Sequence, residues 1–155
     1  MLDSRRSAVA NGCEVLVVKA LLKAYPDGIK HVDSGGHTLL HQAACNAQSE
    51  QTVALLLSAW PEAAAMRDVD GNTPLHFAAG CKAPSTVVQA LLTACPEAAS
   101  WRGQMQRFPL NLSLLCEAPP ASVALLRDAY PEAQRAPELV ADYINHGMGV
   151  SMPAS

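Results

Sequence analysis

The sequence predicts an all-α solenoid of stacked helix-turn-helix repeats joined by tight β-turns. Three observations predict it. The string Asp68-Val69-Asp70-Gly71-Asn72-Thr73-Pro74-Leu75-His76-Phe77-Ala78-Ala79 returns, in altered form, 35 residues earlier and 35 residues later. A second string, Leu-Leu-x-Ala-x-Pro, keeps the same beat, so that Pro26, Pro61, Pro96 and Pro131 each lie 35 residues from the next. Half of the residues are apolar but only 5% are aromatic, so alanine and leucine must carry the core, as closely packed short helices require. A fixed period of this size marks supersecondary units that stack, not a closed globule.

Within the first string each residue has a local reason. Asp70-Gly71 supplies the turn, because glycine accepts a positive φ that a side chain penalises. Thr73 caps the following helix, its hydroxyl accepting an orphan backbone N–H. Pro74 occupies the first helical position, where its missing N–H costs nothing. Leu75, Ala78 and Ala79 form one apolar helical face, and the two alanines let a neighbouring helix approach closely. The earlier copy has Gly36 at the turn, then His37-Thr38-Leu39-Leu40-His41-Gln42-Ala43-Ala44. The later one reads Arg107-Phe108-Pro109-Leu110-Asn111-Leu112-Ser113-Leu114.

The Asp-x-x-Gly-x-Thr-Pro-Leu-His-x-Ala-Ala string at 68–79, followed by Val87-Val88-x-x-Leu91-Leu92, resembles an ankyrin repeat. The resemblance covers nearly the whole chain, strongest at 68–102, good at 33–67 and weaker at 103–136. It implies an ankyrin-like solenoid acting as a non-catalytic protein-interaction module. The sequence departs from the family in two places. Lys82-Ala83-Pro84 stands where the family tends to carry Gly-His, lengthening the repeat to 35 residues. The glycine that usually ends the second helix is replaced by Tyr25, Trp60, Cys95 and Tyr130, each followed by proline.

Taken in order, residues 1–32 read as a partial, N-terminal capping repeat. A short helix at Ser7–Asn11 lacks the turn signature, and an outer helix at Glu14–Ala24 turns Val15, Val18, Leu21 and Leu22 inward. The alternative is that the chain begins inside a longer array. Repeats at 33–67 and 68–102 are regular, with inner helices near 39–46 and 74–81 and outer helices near 50–59 and 85–94. Ser49 caps the outer helix of the first of these, and Pro84 falls in the first turn of its counterpart. Pro-Glu-Ala-Ala segments after the outer helices connect to the next turn, proline stopping each helix. The repeat at 103–136 is degenerate: Phe108 replaces the capping threonine, Asn111 the histidine and Gln106 the turn glycine. Its outer helix runs from Ser122 to Ala129 behind Pro119-Pro120. Residues 137–155 are expected to form a C-terminal capping helix and a tail, mobile alone from Gly147.

Composition excludes several classes. A net charge of −3 with scattered basic residues argues against nucleic acid, which needs a clustered basic face. No run of about 18 apolar residues is present, so no direct membrane insertion is expected. Five cysteines without a disulfide-framework spacing predict reduced thiols and an intracellular, reducing compartment, cytoplasmic or nuclear, with an organelle as a further alternative.

His41 and His76 share one repeat position. The resemblance implies that they bond backbone groups of the adjoining repeat, as buried polar atoms require. Equivalent atoms of neighbouring repeats lie about 10 Å apart, too far to share an ion with bonds of about 2 Å. No cofactor or metal is predicted. Cys81 and Cys116 lie one period apart and Cys45 one position off that register, but no Cys-x-x-Cys spacing accompanies them. They read as small buried apolar residues, and a thiol or metal enzyme among them is a remote alternative. No nucleophile motif, phosphate-cradling loop or carboxylate pair is present. Gly36, Thr38, His41, Gly71, Thr73, Pro74 and His76 are thus structural repeat positions.

The resemblance places binding on the concave side, at the turn tips and the exposed end of each inner helix. These positions are Val32, Ser34, Gly35 and His37, then Arg67, Val69, Asp70 and Asn72, then Arg102, Gln104, Met105 and Arg107. Gln42, Phe77 and Leu112 adjoin them, and Trp101 stands beside Arg102. Arginine mixed with bulky apolar groups is a composition that interfaces favour. The expected partner is a protein bound reversibly by an adaptor. In the alternative, the chain is a permanent subunit of a larger complex, attached through its degenerate repeat and tail. The apolar run Phe108–Leu115 supports that alternative.

Overall fold

A computed structural model of the chain describes residues 15–45 and 50–135. The expectations for Ser7–Asn11, Ser49, the C-terminal capping helix and the tail lie outside the described residues, as does the side chain of Val15. The described residues contain no strand. Seven α-helices among them form two rows. The inner row is α2 (Leu39–Cys45), α4 (Pro74–Gly80) and α6 (Pro109–Leu115). The outer row is α1 (Val15–Ala24), α3 (Glu50–Ala59), α5 (Ser85–Ala94) and α7 (Pro120–Ala129). Each inner helix packs on the next, each outer helix on the next, and each pair within a repeat packs across the rows. The result is an all-α, ankyrin-like solenoid.

The core between the rows follows the period. Leu40, Leu75 and Leu110 stand at one repeat position and are each 1% exposed. Val53 and Val88 stand at one repeat position of the outer row and are each 0% exposed, in the same core cluster as the inner-row leucines. Ala43, Ala44, Ala78 and Ala79 are all buried, so backbones approach without side chains between them. Phe108 and Leu110 are likewise core, leaving Leu114 as the exposed member of the apolar run at 108–115.

The segments after the outer helices are more than connectors. Pro26–Lys30, Pro61–Ala65, Pro96–Ser100 and Pro131–Arg135 are 3₁₀ helices with proline in the first turn. Their small residues, Ala63, Ala64, Ala98, Ala99 and Ala133, are buried. Before each proline the chain takes one conformation: Tyr25, Trp60 and Cys95 have φ of −140°, −147° and −146° and ψ of 71°, 82° and 84°. Proline forbids its predecessor the α region, and this extended φ suits any side chain. Glycine has no conformational advantage there. Pro84 precedes α5 as an extended cap residue (φ −62°, ψ 156°), not as part of its first turn.

The left-handed conformation appears instead after the inner helices, at Lys82 (φ 60°) and Glu117 (φ 55°). The next residue closes a Schellman turn: the Ala83 N–H donates to the Ala78 carbonyl (2.9 Å) and the Ala118 N–H to the Ser113 carbonyl (2.8 Å). Gln106 takes φ 59° where Gly36 and Gly71 have 79° and 83°, and Met105 before it is also left-handed at φ 57°, so this turn differs from the two earlier ones in having two left-handed residues, neither of them glycine. Lys82→Gly, Glu117→Gly and Gln106→Gly are each expected to raise stability by about 0.5–1 kcal/mol, read as a higher urea midpoint at constant m. Gly36→Ala is expected to do the reverse, because its Cβ would lie 2.8 Å from the Asp68 Cα.

The expectation for the cysteines is overturned. Cys45 and Cys81 are joined in a disulfide, so they are not reduced thiols, whereas Cys95 and Cys116 are free. The one-position offset is the reason. Cys45 stands one residue short of the repeat equivalent of Cys81, and this brings the two Cα atoms to 5.1 Å. That is within disulfide range, while residues in strict register on packed helices stand about 8–10 Å apart.

Candidate functional site

The face made by turn tips and inner helices is built from three stacked turns. In the first, Asp33 Oδ1 accepts the N–H groups of Gly35 (2.9 Å) and His37 (2.8 Å). In the second, Asp68 Oδ1 does the same for Asp70 (2.9 Å) and Asn72 (2.8 Å). A carboxylate at the turn start thus replaces a missing backbone acceptor. The third turn has Gly103 in that place, its N–H bonded to the Arg107 carbonyl at 2.8 Å. A side chain at Gly103 would collide with Asn72 and His76, so the acid is absent for want of space.

Turns are tied to one another as well. The Val69 N–H donates to the Gly35 carbonyl (3.0 Å), and the Gln104 N–H to Asn72 Oδ1 (2.9 Å). His37 reaches Asp68 of the next repeat, Nε2 to Oδ2 at 3.4 Å. Beneath them the repeat histidines act twice. The Thr73 N–H donates to His76 Nδ1 (3.1 Å), which assigns the proton to Nε2, and Nε2–H donates to the Trp101 carbonyl (3.1 Å). His41 repeats this with the Thr38 N–H (3.1 Å) and the Asn72 carbonyl (3.2 Å). Burial pushes His76 down to about 4 and lowers His41 in the same direction. Asn111 takes the histidine's place in the fourth repeat, its Oδ1 accepting the Phe108 N–H at 3.1 Å. The substitution keeps the cap and changes only the group that provides it.

Between these turns lies a pocket of about 250 Å³. Of the positions expected to bind, it collects His37, Asp70, Asn72, Phe77, Gln104 and Arg107, together with Leu112. Phe77 lies edge-on between His37 and His41, with ring centroids 5.4 and 5.3 Å away. Val69 and Met105, exposed by 74% and 68%, are apolar tips on the same turns. Gln42 is half-buried on α2, outside the pocket lining.

Several residues differ from a free rim. Arg107 is buried, because it holds the repeat position of Asn72, at the base of the turn and not its tip. Asn72 has its Oδ1, Nδ2 and carbonyl engaged by Gln104, Asp68 and His41. Arg67 stacks on the Trp101 ring at 5.0 Å and donates to the Arg102 carbonyl (3.2 Å), while Arg102 stacks on Phe108 at 5.0 Å. These two arginines and Trp101 tie successive repeats together away from the pocket. Sequence reasoning did not place Asp68, His76, Gly80 or Cys81 in the lining. The repeat phase of Cys81, next to Gly80 at the end of an inner helix, was the available signal.

Among the described residues, no three His, Cys, Asp or Glu side chains cluster as a metal site, and no helix is long and apolar enough to cross a membrane. No curated protein matches the chain significantly. A family model described as ankyrin repeats (3 copies) matches residues 6–100. Ankyrin repeats generally mediate protein–protein interaction and are typically non-catalytic. The structure carries the pattern further, since α6 and α7 repeat the inner and outer helices beyond the matched span. The chain belongs to the ankyrin-repeat family.

Proposed function

We propose that this chain is a non-catalytic adaptor that binds a protein segment in the pocket between the turn tips and inner helices. One observation carries the reading: the pocket brings His37, Asp70, Phe77 and Gln104 from three repeats around one concavity. Phe77 and Leu112 offer an apolar seat, while Asp70 and Gln104 stand exposed at its edge. The fitting ligand is an apolar anchor side chain flanked by hydrogen-bond donors, with Val69 and Met105 as further apolar contacts. A buried apolar anchor with a polar rim is the usual energetic layout of such interfaces. An intracellular setting belongs to this reading and rests on the free thiols of Cys95 and Cys116, whereas the Cys45–Cys81 disulfide counts against a reducing compartment.

The test is selection of displayed peptides on the folded chain. Selected peptides are expected to share an apolar residue next to Lys or Arg. Asp70→Lys combined with Met105→Asp should weaken them by tenfold or more, about 1.4 kcal/mol or above, with an unchanged thermal midpoint. Peptides that ignore this pair but lose binding when Thr86 and Asp128 of the outer row are changed would rule the pocket out.

A further inference from the structure

The Cys45–Cys81 disulfide crosses from one repeat to the next, joining the end of α2 to the residue that follows α4. Its two residues differ in surroundings. Cys45 is exposed, whereas Cys81 is half-buried and lines the pocket beside His76, Phe77 and Leu112. Repeat units touch only their neighbours, so a covalent tie between two of them acts directly on the interface that shapes the pocket. The other described cysteines are less available: Cys95 is buried and Cys116 half-buried.

We propose that this disulfide is a thiol-exchange site that takes a small cysteine-containing thiol, of the glutathione class, at Cys45, and that its opening alters the pocket. The second clause rests on the pocket being the partner site. The incoming thiolate attacks the Cys45 sulfur and forms a mixed disulfide. The Cys45–Cys81 bond breaks, and its electron pair leaves on the Cys81 sulfur, which takes a proton from solvent. A second thiol of the same class then attacks the mixed disulfide, freeing the Cys45 thiol and leaving the small thiol as its own disulfide. Two small thiols are oxidised and one protein disulfide is reduced. Access decides which sulfur is attacked, and here it favours Cys45. Opening leaves a Cys81 thiol in the pocket wall and unties α2 from α4.

The experiment treats the oxidised chain with millimolar reduced glutathione, quenches with acid, alkylates and maps the peptides by mass spectrometry. The expected product carries glutathione on Cys45 and the alkyl group on Cys81, and it is absent from Cys45→Ser. A pair that stays closed in glutathione buffers poised between about −180 and −320 mV, or adducts found on Cys81, would overturn the exchange site. Amide hydrogen exchange of oxidised and reduced protein then reads the pocket without a partner. Faster exchange is expected at the end of α2 and around Phe77; no difference there overturns the coupling. Pocket-binding peptides are expected to bind the reduced form about fivefold more weakly, and equal binding also overturns the coupling. If no peptide binds either form at the pocket, the adaptor reading fails while the exchange site stands on the mapping result. Should Cys45→Ser fail to fold, the chemically reduced chain serves the same comparisons.

Discussion

Lowering the pH from 7 to 4 is expected to remove about 3 kcal/mol of stability through His76 alone. Burial is the main reason its native value is pushed from 6.5 down to about 4. A proton on Nδ1 would also point at the Thr73 N–H that donates to it. The sign follows from linkage. The unfolded chain takes up the proton near pH 6.5 and the folded chain only near 4, so stability is full above 6.5 and declines as the pH falls through that window. His41, lowered in the same direction by the same burial, steepens the decline. Urea midpoints measured at each half pH unit between 7 and 4 check this. His76→Asn provides the control, because Asn111 already performs the capping bond in the fourth repeat. That variant should lose about 1–2 kcal/mol at pH 7, having given up the bond to the Trp101 carbonyl, and should have a flatter profile. An unchanged slope in the variant would assign the acid sensitivity to other groups.

Leu75→Ala is expected to cost about 3–4 kcal/mol, close to the middle of the range for deleting a buried leucine side chain. Leu75 is 1% exposed on the central inner helix, which packs against inner helices on both sides. Rigid neighbours on two sides leave little room for the site to collapse, so most of the cavity should persist. Leu126→Ala, at a residue equally buried on the outer helix α7, should cost a comparable amount. Leu114→Ala, at a residue 45% exposed, should change stability by no more than about 0.5 kcal/mol. Denaturant midpoints of the three variants give the comparison. Equal losses at Leu75 and Leu114 would mean that the inner row does not carry the core.

Much of the fold was legible before the structure. The outer helices at 50–59 and 85–94 have the bounds that caps and apolar spacing imply, and the inner helices differ by one residue at their ends. The reason is that these signals are local. Pro74 at a first helical position, Ala78-Ala79 on a packing face and Gly71 at a turn act within a few residues of themselves. The candidate site was legible in outline, because its residues recur with the period, but not in its detail. The same repeat position is Asn72 in one turn, engaged by three neighbours, and Arg107 in the next, buried at the turn's base. Nothing within one repeat distinguishes their roles.

By itself, then, the sequence determined the period, the two rows of helices and most of the residues that face the core. Tertiary structure decided which partners meet between repeats. It put Lys82 and Glu117 in the left-handed region without glycine, stacked Arg67 on Trp101, and joined Cys45 to Cys81 across one position of offset. The physical reason is one of range. Propensity and apolar spacing are properties of neighbouring residues, whereas the offset and rotation between repeats arise from the packing of whole helices. Pocket, disulfide and arginine stacks all depend on that second quantity.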